Sequence, residues 1–183
     1  MVQEKVTALP ERHELPGSHK GEILDQGTAL ILVETILRVA LGLRFLYSGI
    51  SNIHRWPNAM RNAEIVFPCG FKVFGFIAVF LMVGGGLGLA LGVATRLAAL
   101  MIALFLIPTF AIQRHWLSVL PSMIEDVNRA LADASRKNTF QRLARQAFHS
   151  HETGWQNNLL MLLLALYFAV RGSPAFGIDN LLG

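Results

Sequence analysis

The sequence holds a single cysteine, few charges, and no stretch from which a cleavable leader could be built. With Cys69 alone there is no internal disulfide, no CxxC redox pair and no cysteine-based zinc site. The chain's own thiols are therefore not expected to carry electrons, and Cys69 reads as a small buried residue. Charged residues make up 15% of the 183 positions, against about 25% in a soluble domain. Those charges gather in residues 1–28 and between Arg114 and Glu152, and long apolar runs fill the rest. No HExxH occurs, the HSH of 149–151 is too short for two ligands from one helix face, and no apolar run has a histidine at its middle. Neither a metal site nor a haem is expected on those grounds, and no nucleic-acid partner is expected either. Residues 1–28 mix acids with bases and are interrupted by Pro10, Pro16 and Gly17. A signal peptide needs a basic start followed by an apolar core, so this stretch reads as a polar N-terminal arm.

The apolar runs dominate the reading. Crossing a hydrocarbon core of ~30 Å takes roughly 20 residues at 1.5 Å per residue. Four segments qualify, at about 29–53, 71–94, 97–116 and 155–170. Backbone groups in lipid are satisfied only within the segment, so each is expected to be helical. The expectation is an all-α, integral membrane four-helix bundle over 29–183. Its second and third spans are joined by a tight turn at Thr95-Arg96, and an amphipathic helical connection, 117–154, joins the third and fourth. Both termini then share one face (side A) with the Thr95-Arg96 turn, and the longer connections share the other (side B). Trp56, Trp116 and Trp155 all fall at span ends on side B, where an interfacial aromatic belt belongs. Side B also carries more Lys and Arg, which leans toward a cytoplasmic side B. Within the connection, Leu120, Ile124, Val127, Leu131 and Ala134 repeat at helical spacing, and Phe140, Leu143, Ala147 and Phe148 suggest a second short helix. Such a helix suits either the headgroup plane or a docking surface for another subunit.

The first apolar segment carries the most chemistry. Glu34, Arg38, Gly42, Phe45, Gly49 and Asn52 follow 4,4,3,4,3 spacing and share one helix face. A charge at the bilayer centre costs about 2.5–3.5 kcal/mol on insertion scales, so an intramembrane arginine calls for a partner. Glu34, one turn from Arg38, is the local candidate; a structural ion pair near the side A interface is the simpler reading. Arg44 lies on a different face with no evident partner in the spans. Gly42 and Gly49 allow close approach of another helix, and Gly84, Gly88 and Gly92 form a small-xxx-small ladder in the second span. Pro108 is expected to kink the third span. His54 and His115 end the first and third spans on side B and are candidates to converge. The candidate ligand-binding set is Glu34, Arg38, Arg44, Asn52, His54 and His115, for a quinone, a lipid or an anion; no catalytic residue is assigned.

Three stretches resemble the DoxX family of small four-helix bacterial membrane proteins. LRVALGLRFLYSGISNI is similar to an R-x3-G-x2-F-x3-G-x2-K pattern at Arg38, Gly42, Phe45 and Gly49, with Asn52 in the lysine position. GGGLGLALGVATRLAAL matches a second pattern at Gly85, Gly86, Gly92, Thr95 and Arg96. WQNNLLMLLLAL with GSPAFGID matches a third at Asn158 and Asp179. The sequence departs from the family at Asn52 and at Met82, which stands near the place of a second-span glutamate in many members. The resemblance implies a multi-pass protein of the bacterial cytoplasmic (inner) membrane. It also implies a subunit of a redox-linked membrane complex that anchors a partner and offers a site for quinone or lipid, with other protein subunits and membrane lipid as partners. No cofactor is expected within the chain itself. The alternative is a non-enzymatic structural subunit or a small anionic-solute carrier, and the absence of an inverted repeat argues mildly against the carrier.

Overall fold

A computed structural model describes residues 19–173 and 176–182, and everything described is helix or short connection. Six helices follow one another: α1 (His19–His54), α2 (Trp56–Val66), α3 (Phe71–Leu91), α4 (Thr95–Ala130), α5 (Ala134–Arg171) and α6 (Asp179–Leu182). The fold is all-α, as expected. Most of the polar arm, residues 1–18, lies outside the described residues. Residues 19–28, which composition places in the arm, are helical and belong to α1.

α3 packs between α1 and α4, α5 lies along α4, and α2 tucks against α3 and α4. The core runs through Leu41 and Phe45 of α1, Met82 and Leu89 of α3, Ala98, Ile102 and Leu106 of α4, and Ala165 and Phe168 of α5. Phe45 meets Phe105 edge to face, with centroids 6.0 Å apart. Small residues let the backbones come close. A Cβ on Gly42 would meet the backbone of Gly86 and Ala90, and one on Gly86 would meet Leu46 N at 2.6 Å. The three adjacent glycines are divided between neighbours: Gly86 faces α1, whereas Gly84 and Gly85 face Met101 and Ile102 of α4, as Gly88 faces Ala98. The ladder ends there. Gly92 caps α3 with φ 68°, a left-handed conformation that favours glycine, and it turns the chain into α4 instead of packing two helices together.

The connection 117–154 differs from the sequence reading. There are no separate short helices in it. α4 continues through Pro121 to Ala130, and α5 starts at Ala134 and runs unbroken to Arg171. At 36 and 38 residues these helices are about 54–57 Å long, longer than the ~30 Å of a hydrocarbon core. Asp133 caps α5 by accepting from Ser135 N at 2.8 Å. Phe140 and Leu143, read as the face of a second short helix, line a groove of 370 Å³ in this paired extension, with Val127, Leu131, Ser135 and Thr139. Cys69 is exposed in the α2–α3 turn, against the buried position expected for a small apolar residue.

Candidate functional site

The predicted stripe on α1 divides in two. Its first half is a buried polar cluster at the end of the bundle that holds the α3–α4 turn. Arg38 is the largest fully buried side chain, at 1% exposure, and Glu34 one turn earlier is 6% exposed. They do not pair with each other. Arg38 Nη2 donates to the Phe176 carbonyl at 3.0 Å, while Arg38 Nε and Nη1 have no hydrogen-bond partner among the described residues. Glu34 Oε1 accepts from the Tyr167 hydroxyl and faces Arg171 Nε at 3.7 Å. The local helix partner expected for Arg38 is thus committed to α5.

The C-terminal segment completes the cluster. Asp179 accepts from Ala94 N at 2.6 Å and from Thr95 N at 2.8 Å, one carboxylate oxygen on each amide. Those are orphan donors at the start of α4, and a carboxylate there satisfies them and interacts favourably with the helix dipole. The amide of Asp179 returns a bond to the Gly92 carbonyl at 2.9 Å. Its carboxyl is held below the usual value, first by the Thr95 amide, with the Ala94 amide and the charge of Arg38 adding to the effect. Arg38 and Asp179 were each visible as motif matches. Their placement on the two sides of Gly92 was not, nor was the part played by Tyr167 and Arg171.

The second half of the stripe is apolar in partnership. Asn52 Nδ2 points at Met82 Sδ, 3.5 Å away, and Met82 is 2% exposed. The two departures from the family pattern are therefore neighbours across the α1–α3 interface. His54 and His115 are not brought into one site: each is exposed and engaged locally, His54 Nδ1 with the Ile50 carbonyl at 2.9 Å and His115 edge-on to Trp116. The histidine that does reach across helices is His151. Its Nδ1 meets Gln113 Oε1 at 2.7 Å, and its ring stacks on Trp116 with centroids 5.9 Å apart. Arg44 is exposed. Among the described residues no group of three metal-ligating side chains comes together.

The surface is apolar where the interior is polar. Leu32, Val33, Ile36, Leu37 and Leu43 on α1, and Leu159, Leu160, Leu163, Leu166 and Val170 on α5, are all exposed. α3 and α4 are each long and apolar enough to cross a membrane. No curated protein and no solved structure gives a significant match. The family comparison does: the match begins at Val33, just before Glu34, takes in the stripe, the glycine-rich α3 and the α3–α4 turn, and ends at His115, short of Asn158 and Asp179. Residues 33–115 of this chain are a DoxX family domain.

Proposed function

We propose that the chain crosses the membrane four times, through α1, α3, α4 and α5, and serves as the membrane subunit of a redox-linked complex. One observation carries the reading: of the three charged residues that interrupt the apolar run of α1, Glu34 and Arg38 point inward and are buried and only Arg44 is exposed, while the outward faces of α1 and α5 are otherwise largely apolar. A lipid-facing surface accounts for that distribution, since water would favour its inverse. The length of α4 and α5 then carries the paired extension beyond the hydrocarbon on side B. Its groove at Val127, Leu131, Phe140 and Leu143 offers a place for a soluble partner, which would supply the redox centres. The domain match supports membrane residence, and the family resemblance supports the redox association.

The test is purification of the full chain in a mild detergent, with mass spectrometry of bound proteins and extraction of quinone. A stoichiometric partner, released when residues 120–150 are replaced by a short loop, is the expected result. A lone chain free of both partner and quinone would refute the complex. Cysteine accessibility placing residues 95 and 131 on the same side of the membrane would refute the four-span topology.

A further inference from the structure

The end of the bundle that holds Arg38 has the chemistry of an oxyanion site, and its occupant belongs to the chain itself. Asp179 places its two carboxylate oxygens on consecutive amides, Ala94 N and Thr95 N, at the head of a 36-residue helix. Helix heads bind phosphates and carboxylates in this manner. Arg38 is an independent second element. It is 1% exposed, and its Nη1 has no hydrogen-bond partner among the described residues. That nitrogen sits at the seam between the two segments: a Cβ on Gly92 would collide with it, and a Cβ on Gly177 would lie 3.2 Å from it. Among the described residues this buried guanidinium bonds one peptide carbonyl and leaves donors unused, aimed at the place where an internal carboxylate meets a helix head.

The occupant is also held under strain. Phe176 adopts φ 52°, in the left-handed region that non-glycine residues rarely enter, and its ring is 77% exposed. Its carbonyl is nonetheless drawn onto Arg38. The turn is kept in place by Arg38, by the bonds to Gly92 and Leu91, and by the two amides of α4. An anion that takes over the amides and Arg38 releases the strain as it binds.

We infer that the turn Phe176–Asp179 is an internal occupant of an oxyanion site formed by Arg38 and the first amides of α4, and that a phosphate-class anion displaces it. Such a group has enough oxygens to take both amides and to pair bidentately with the guanidinium. Inorganic phosphate and the headgroup of an acidic phospholipid share that chemistry. This inference does not depend on the redox association proposed above.

The experiment uses the full chain in maltoside micelles, which carry no phosphate, at an ionic strength held constant with chloride. A spin label is placed at Leu181→Cys on a Cys69→Ser background; Leu181 is 83% exposed, so the label disturbs no packing. Inorganic phosphate is expected to mobilise the label. In Asp179→Asn the half-maximal concentration is expected to fall at least tenfold, and in Arg38→Gln the response is expected to vanish. Adding phosphatidylglycerol in place of phosphate separates the sources: mobilisation by the lipid assigns the site to a headgroup, and mobilisation by phosphate alone assigns it to a soluble anion. An unmoved label under both ligands overturns the inference, as does an undiminished response in Arg38→Gln. Should Asp179→Asn lose its helical circular dichroism, the titration of the labelled Asp179 protein decides the matter.

Discussion

Replacing Gly42 with alanine tests the packing on which the buried cluster depends. The new methyl carbon would lie 2.7 Å from the Gly86 carbonyl oxygen and 2.9 Å from Ala90 Cα, and closer still to Ala90 N, where ordinary contact begins near 3.4 Å. Every one of these atoms is backbone, so no rotamer change relieves the clash, and α1 and α3 must separate by several tenths of an ångström or more. Overpacking a tight interface costs about 1–3 kcal/mol. Alanine in a helix regains up to about 1 kcal/mol over glycine. With only backbone to yield, the upper part of the range applies, and we expect Gly42→Ala to destabilise the protein by about 2 kcal/mol, or roughly thirtyfold in the folded-to-unfolded ratio. Two controls separate sterics from propensity. At Gly84 the methyl would meet only the mobile end of Met101, at 2.9 Å, and at Gly27 it would meet nothing. Gly84→Ala should stay within about 0.5 kcal/mol of the parent, and Gly27→Ala should gain about 0.5–1 kcal/mol. The assay is reversible unfolding in mixed micelles on an SDS gradient, followed by far-ultraviolet circular dichroism. Equal midpoints for Gly42→Ala and the parent, or equal losses for Gly42→Ala and Gly84→Ala, would refute the reasoning.

Three further outcomes follow from the described contacts. Asp179 is held below its ordinary pKa when folded, so its contribution is present above about pH 4 and is lost as pH falls through the lowered folded value; the thermal midpoint of Asp179→Asn should lie below the parent's at pH 7, and the gap should close in acid. Met82→Glu buries a lone carboxyl beside Asn52 and should cost about 3 kcal/mol or more, of which adding Asn52→Lys should return at least about 1 kcal/mol; strictly additive losses would dismiss the proximity of the two sites. Burial pushes the His151 imidazole below its usual value, so its contribution is complete above about pH 6.5 and declines as pH falls through the lowered value. On a His115→Gln background, Trp116 emission should therefore change on acidification, and His151→Phe should hold it constant.

How much of this was legible in the sequence depended on how local the signal was. The α1 stripe was legible because Arg38, Gly42, Phe45 and Gly49 share one face by spacing alone, and all four are buried. Arg38's true neighbours were not, because its contacts come from Phe176 and Gly177, some 138 residues away, and from backbone atoms that carry no sequence code. The ladder Gly84, Gly88 and Gly92 is legible by spacing, but successive residues on a helix point about 100° apart, which is why the adjacent Gly85 and Gly86 serve two different neighbours. The paired extension of α4 and α5 was read as a broken connection because hydropathy falls after Trp116. Hydropathy reports the solvent around a helix, not whether it continues, and Pro121 did not end α4. The tryptophan–histidine contact at 116 and 151 needed the hairpin register, which only the uninterrupted helices fix.

The glycines of α3 have one more consequence. The helix offers bare backbone to α1 at Gly86 and to α4 at Gly85 and Gly88. Its buried knobs are few, Val79, Met82 and Leu89, and they alternate with these close backbone contacts. Its two ends are set by Gly70 at φ 84° and Gly92 at φ 68°, where the chain reverses. One of those end stops bears directly on Arg38. A push on that guanidinium therefore reaches α3 at its C-terminal end, where the chain turns into α4.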